Sequence, residues 1–334
     1  MTVPARHRST RTRNALLLVV TLVLHASSAH ADPSSTSPEQ GYDLGEVQSP
    51  RAVGMGGAQT ALGTSTTALW LNPANLPVAR VYHFEALAAI SPDARRQSYG
   101  GAVVDSSTSK LAGGFGGTWS MLDPDGIRRS WTDFRLALAY PLADKISLGM
   151  TGRYLRASQA ISTGPLGAST ASGGTAGDPL FNSFTFDAGL TAAPIKGLQV
   201  GMVGHNLTNP GTSLAPTTLV GGLGFTSSIF SIETDVMADF TTWKSTRGRY
   251  MLGGEIFVAD HFPLRLGYRY DDGQKAHAIS AGAGYVDRKW SFELSARRDV
   301  VADHPMTIMV AGLRYFYESA GSEGGEATGM DSSF

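Results

Sequence analysis

The sequence predicts an all-β fold, a transmembrane antiparallel β-barrel of about 14 strands with an N-terminal plug, and three observations carry that expectation. Segments of about ten residues alternate apolar and polar side chains along most of the chain. The 40 glycines are scattered rather than clustered, as in a fold with many turns and close backbone approaches. Beyond the first 31 residues, no run resembles a membrane-spanning helix.

Composition removes several function classes. The 334 residues hold 27 Lys+Arg, 28 Asp+Glu and no Cys, which excludes a disulfide scaffold, a Cys-ligated metal or cluster and a thiol nucleophile. The charge balance leaves no basic excess for phosphates, so nucleic acid is not an expected partner.

Residues 1–31 read as an export signal. Arg6, Arg8, Arg11 and Arg13 precede a short apolar run over 15–24, and Ala29-His30-Ala31 offers the cleavage site. The apolar run is too short to serve as an anchor, which needs about 20 residues. No Cys follows the site, which excludes a lipoprotein, and the remaining 303 residues carry 23 basic against 28 acidic side chains.

From residue 81 the alternation is regular. Approximate strands fall at 81–90, 97–105, 110–120, 130–141, 145–157, 182–192, 197–206, 217–226, 228–239, 248–258, 263–270, 276–285, 289–298 and 306–317. In the thirteenth, Trp290, Phe292, Leu294 and Ala296 oppose Ser291, Glu293, Ser295 and Arg297, two faces suited to different solvents. The even-numbered connections at 106–109, 142–144, 194–196, 260–262 and 287–288 are short, and most odd-numbered ones are longer, the expected asymmetry between the two rims. The longest, at 158–181, reads as a surface loop rich in Gly, Ser, Thr and Ala. Trp119 and Trp131 on one side, and Tyr82, Tyr140, Phe230 and Trp290 on the other, are expected to form two interfacial girdles. A soluble β-sandwich would not need an apolar face on nearly every strand of so long a meander.

The polar face of these strands carries Glu85, Asp187, Glu233, Asp235, Glu255 and Glu293 together with Arg135, Arg153, Arg265, Arg269, Arg297 and Arg314. They are expected to line the lumen, either as a structural ionic lining or as a polar passage, and a hairpin at 260–262 would set Glu255 diagonally beside Arg265 and Arg269. Strand three contains Gly113, Gly114, Gly116 and Gly117 around Phe115, which predicts a kink or bulge. Gly100, Ala102, Ala112, Gly114 and Gly116 would then form a smooth trough facing the lumen, shaped for the plug or for an apolar ligand.

Residues 32–80 do not alternate. They hold Arg51-Ala-Val-Gly-Met-Gly-Gly-Ala58, a polar run at 63–67 and Trp70-Leu-Asn-Pro-Ala74. Gly54, Gly56 and Gly57 would let this backbone press on the wall, and Asn72-Pro73 would make a rigid turn. An R-A-x-G-M-G-G-A run followed by W-x-N-P-A resembles the FadL-like family of outer-membrane hydrophobic-compound transporters, including its PorV-like branch associated with type IX secretion. Gly201-x-x-Gly-His-Asn-Leu207 and Leu266-Gly-Tyr-Arg-Tyr270 also look familial. The resemblance spans the whole exported chain. It implies a plug at 32–80 inside a barrel at 81–317, passive transport of fatty-acid-like molecules, and sideways release at strand three with Gly113, Gly114, Gly116 and Gly117 as the gate. The family has Gly where this chain has Asn75, a residue that tolerates positive φ.

Expected partners are outer-membrane lipid, a hydrophobic small-molecule ligand and the barrel-assembly machinery, since Gly312-Leu-Arg-Tyr-Phe-Tyr317 resembles a terminal-strand signal ahead of the polar tail 318–334. Secretion-system proteins are the partners of a second reading, a shuttle for a surface machine. A third reading, a barrel-embedded hydrolase, would need one of His83, His205, His261, His277 or His304 beside a Ser and a carboxylate near the outer rim. No catalytic or dinucleotide motif is present, so neither enzyme activity, a cofactor nor a metal is expected.

Overall fold

A computed structural model describes residues 49–122, 128–159, 179–211, 213–303 and 305–317. The signal peptide, the first part of the expected plug, most of the loop at 158–181, His304 and the polar tail lie outside the described residues.

All fourteen expected strands form, with ends displaced by a few residues: β1 (Tyr82–Ser91), β2 (Arg96–Asp105), β3 (Ala112–Leu122), β4 (Arg129–Ala143), β5 (Ile146–Gln159), β6 (Pro179–Ile195), β7 (Leu198–His205), β8 (Thr218–Thr226), β9 (Phe230–Asp239), β10 (Arg247–Val258), β11 (Phe262–Asp271), β12 (Ala276–Val286), β13 (Trp290–Val301) and β14 (Thr307–Phe316). Each pairs antiparallel with its sequence neighbours. β1 pairs with β14 from His83↔Phe316 to Ile90↔Met309, closing the barrel. Closure leaves no edge of unpaired N–H and C=O groups, and that is the condition for a sheet to cross hydrocarbon.

Side-chain parity sorts the two faces. On β11, Leu264, Leu266 and Tyr268 are exposed on the outer surface while Arg265 and Arg269 are buried inside. On β9, Phe230, Ile232 and Val236 point out, and Ser231, Glu233 and Asp235 point in. Tyr140, Phe230 and Trp290 are exposed towards the short-turn rim, and Trp119 towards the long-loop rim.

Trp131 departs from its expected place in the girdle. It shares parity with Asp133 and Arg135, so it is buried inside, stacked on Phe181 at 6.2 Å in an apolar cluster with Leu155 and Leu214. The expected break in β3 is also absent. β3 keeps an unshifted register with β2 and β4, because its glycines accommodate neighbouring side chains instead of bending the strand.

Inside the barrel runs the segment from residue 49 to 81, with two short helices, α1 (Pro50–Gly54) and α2 (Ser65–Trp70), and a 3₁₀ turn at Pro73–Asn75. α1 packs against β11 to β14, α2 against β2 to β4, and the 3₁₀ turn against β4 to β6. Among the described residues no helix is long and apolar enough to cross a membrane.

Leu266 sits mid-strand on the outward face. Leu266→Arg is expected to cost about 2–4 kcal/mol, the midplane value for a lipid-facing charge. Urea unfolding in lipid vesicles checks it, and a cost near zero would contradict a lipid-facing β11.

Candidate functional site

The inner segment meets the wall through three polar contacts and one apolar one. Towards the short-turn rim, Arg51 donates to Glu255 at 2.7 Å, and Arg265 donates to Glu255 at 2.6 Å and to Glu293 at 3.2 Å. Arg314 adds bonds to Glu85 at 2.9 Å and Glu293 at 3.4 Å. Three guanidinium groups thereby face three carboxylates, as a charge enclosed in low dielectric requires. Glu255 stands directly across from Arg265, not diagonally, and Arg269 stands across from Met251, because the β10–β11 hairpin turns one residue earlier than expected, at 259–261.

Along β9, two adjacent acids hold backbone. Asp235 accepts from the N–H groups of Gln59 at 3.0 Å and Thr60 at 2.9 Å, and Glu233 accepts from Ala61 at 2.5 Å and Leu62 at 3.1 Å. Four successive N–H groups form a concavity suited to negative charge, and both acids are buried.

The third contact is an asparagine network. Asn72 caps the 3₁₀ turn by accepting from Ala74 N at 3.2 Å, and its amide donates to Thr60 O at 2.8 Å and to Thr191 Oγ1 at 3.1 Å. Asn75 has no positive φ. Its amide donates to Thr60 O at 3.0 Å, and its carbonyl accepts from Thr191 at 2.5 Å, a role that glycine could not perform. Pro73 occupies the first position of the turn, where its missing N–H costs nothing.

Backbone proximity explains the motif glycines. Gly56 has φ +68° and a β-carbon there would sit 2.8 Å from the backbone of Tyr268; Gly57 has φ +98° and a β-carbon would sit 2.8 Å from the Met251 sulfur. A β-carbon on Gly54 would lie 2.9 Å from Ser295 and 3.2 Å from Arg265.

The apolar contact involves α2. Leu69 and Trp70 pack on Ala102, Val104 and Ala112 in one buried cluster, and they fill the trough over Gly114 and Gly116. Gly113 and Gly117 face outward, with Leu138 and Phe134 beside them. α2 also has polar ties: Ser65 Oγ to His83 Nε2 at 2.6 Å, Ser49 to Thr67 at 3.1 Å, and Arg135 to the Trp70 carbonyl.

On the long-loop side of α2 lies a cavity of about 110 Å³. Its apolar walls include Trp70, Leu155, Leu214, Val220, Met237 and Met251. Arg135, Arg153, His205 and Arg249 supply the polar part. Asp133 links Arg135 and Arg153 at 2.8 Å each, and Asp187 takes Arg153 at 3.4 Å and His205 at 3.1 Å. Asp133, Arg249 and Asp271, bonded at 2.9 Å in the last pair, are buried charges not picked out from the sequence, although parity with Arg135 and Arg269 marks them as inward. Arg297 is buried on β13. His83 meets Ser65 at the short-turn rim, and His205 meets Asp187 beside the cavity.

No family model and no curated protein matches this sequence. Solved structures do. The Ralstonia pickettii toluene transporter TbuX superposes with a TM-score of 0.60 at 12% identity, over 83% of this chain and 100% of that one. The CymD monoaromatic hydrocarbon channel gives 0.60 at 14% identity, over 81% and 97%. A Pseudomonas aeruginosa FadL homologue gives 0.55 at 12% identity, over 85% and 100%. The chain therefore has the FadL-type fold, a closed fourteen-stranded transmembrane barrel.

The β9 acids generate a test. A buried hydrogen bond contributes about 0.5–1.5 kcal/mol net, and four are made here. Glu233→Gln with Asp235→Asn should therefore speed amide exchange at 59–62 by about tenfold or more. Hydrogen–deuterium exchange of the reconstituted protein reads it; unchanged protection would show that other contacts hold this turn.

Proposed function

We propose that this chain passively carries small hydrophobic molecules across the bacterial outer membrane, with residues 49–81 acting as the plug. The observation that carries this reading is the partly apolar cavity between the inner segment and the wall, on the side of the longer loops. A pocket of this kind is what a carrier of small apolar molecules requires. A second support is the fold shared with a toluene transporter and a monoaromatic hydrocarbon channel.

Size favours ring-sized cargo over a long acyl chain. The cavity measures about 110 Å³. An engineered apolar cavity of about 150 Å³ suffices for benzene.

For the exit route we favour β3. The small lumen-facing residues Gly114 and Gly116 are covered by Leu69 and Trp70, so a shift of α2 would uncover an apolar path along the wall. Side chains at these positions would oppose that fit: a Cβ on Gly116 would lie 2.7 Å from Trp70 and 2.9 Å from Leu69.

Two outcomes follow. Removing residues 49–80 while keeping the export signal should raise single-channel conductance in planar bilayers several-fold, and equal conductance in the two assembled proteins would refute the plug. Gly114→Val with Gly116→Val should leave a heat-modifiable barrel, at an overpacking cost of about 1–3 kcal/mol, yet slow uptake of toluene by whole cells. Unchanged uptake would remove β3 from the route. Equal uptake by a deletion strain and its parent would overturn transport itself and favour a role as a secretion partner.

A further inference from the structure

We propose that the cavity beside α2 is a binding site for neutral, hydroxyl-bearing single-ring aromatic compounds, in which His205 accepts the hydroxyl proton. The inference rests on the transport reading and narrows its cargo.

His205 carries the first part of the argument. Its Nδ1 lies 3.1 Å from Asp187, which is buried and also accepts from the Asn206 N–H at 2.8 Å. A carboxylate only accepts, so Nδ1 holds a proton, and a ring carrying that single proton presents Nε2 as an acceptor. Nε2 has no protein partner among the described residues, and the imidazole lines the cavity.

Trp70 carries the second part. Its side chain lines the same cavity and is 2% exposed, yet its indole N–H has no acceptor. A buried donor left unpaired costs about 1–3 kcal/mol. A hydroxyl oxygen can accept from an indole N–H and its proton can go to an imidazole, and both side chains line this one cavity.

Charge decides against an anion. Arg135 and Arg153 are matched by Asp133 and Asp187, and Arg249 by Asp271. The wall therefore offers no surplus cation to a carboxylate. The apolar remainder of the lining, with Leu155, Val220 and Met251, suits a ring, and the volume of about 110 Å³ limits the ligand to a single one at most.

The test is equilibrium dialysis of the intact purified protein in detergent against radiolabelled phenol, toluene and benzoate, each corrected with a detergent-only chamber. The buffer is held near pH 8. Phenol is expected to bind about tenfold or more tightly than toluene, as a site with a positioned polar group discriminates against the analogue lacking it. His205→Phe, which keeps a ring but removes the acceptor, should bring phenol down to the level of toluene. Trp70→Phe is a second variant that removes the donor and enlarges the apolar space, so it should weaken phenol without weakening toluene. A heat-modifiable gel shift confirms that each variant is assembled. Toluene binding as tightly as phenol would overturn the hydroxyl site and leave hydrophobic transport standing. Benzoate binding most tightly would overturn the neutral-ligand assignment. Phenol binding unaltered in His205→Phe would remove His205 from the site. Binding of none of the three would overturn the proposal, while the uptake assay above judges transport separately.

Discussion

The structure depends on one constraint: charges enclosed in a lumen must find partners there, because neither lipid nor bulk water can satisfy them. Closing fourteen strands places every second side chain inside, and β1, β9, β10 and β13 each bring at least one carboxylate to that interior. Leaving one such charge unmatched costs several kcal/mol. The inner segment supplies what the wall lacks. Arg51 completes the set formed by Glu85, Glu255, Glu293, Arg265 and Arg314, and the backbone of residues 59–62 supplies the donors that Glu233 and Asp235 need. The wall and the inner segment are consequently a single electrostatic unit.

Shape follows the same logic. For carboxylates on the wall to reach backbone N–H groups, the two chains must lie nearly in contact, and a β-carbon would prevent it. Glycines on both sides remove that obstacle. Gly56 meets the backbone of Tyr268, while on the wall Gly222 faces Thr60 and Ala61, and Gly253 faces Met55. Helices as short as α1 and α2 are not stable alone; here their geometry is imposed by the surrounding barrel, as the burial of nearly every residue from 49 to 76 attests.

The strands were legible because their faces meet different solvents, which forces a period of two that local sequence cannot hide. The inward charges were legible for the same reason. Reading failed where parity was set aside in favour of residue type. Trp131 was expected in an interfacial girdle because it is Trp, whereas its spacing from Asp133 and Arg135 places it inside. Asp133 was passed over despite the same spacing. Register was less accessible: a one-residue difference in the β10–β11 turn converts a diagonal Glu255–Arg265 pair into a directly opposed one. The glycines of β3 carried two meanings, a bend or a close approach, and only the position of Leu69 and Trp70 separates them. A pocket between plug and wall is expected of a transporter, but its lining was not legible, since Trp70, Met251 and Leu214 are far apart in sequence and meet only through the closed topology.

The distribution of contacts along the inner segment bears on how a molecule could pass. Freeing α1 breaks the buried Arg51–Glu255 pair, and removing one partner from such a pair costs about 3–5 kcal/mol. Freeing residues 59–62 strips four donors from two carboxylates. The 3₁₀ turn is tied by the amides of both Asn72 and Asn75. α2 differs, for its interface with β2 to β4 is chiefly apolar, and exposing a Leu side chain costs about 1.5–3 kcal/mol. An apolar ligand entering the space vacated by Leu69 or Trp70 would restore much of that burial. The polar ties to α1, residues 59–62 and the 3₁₀ turn would meanwhile stay intact. Wholesale ejection of the segment has no such compensation. α2 touches both the cavity and the small residues of β3, and it is held to the wall by apolar packing together with the Arg135 bond to the Trp70 carbonyl.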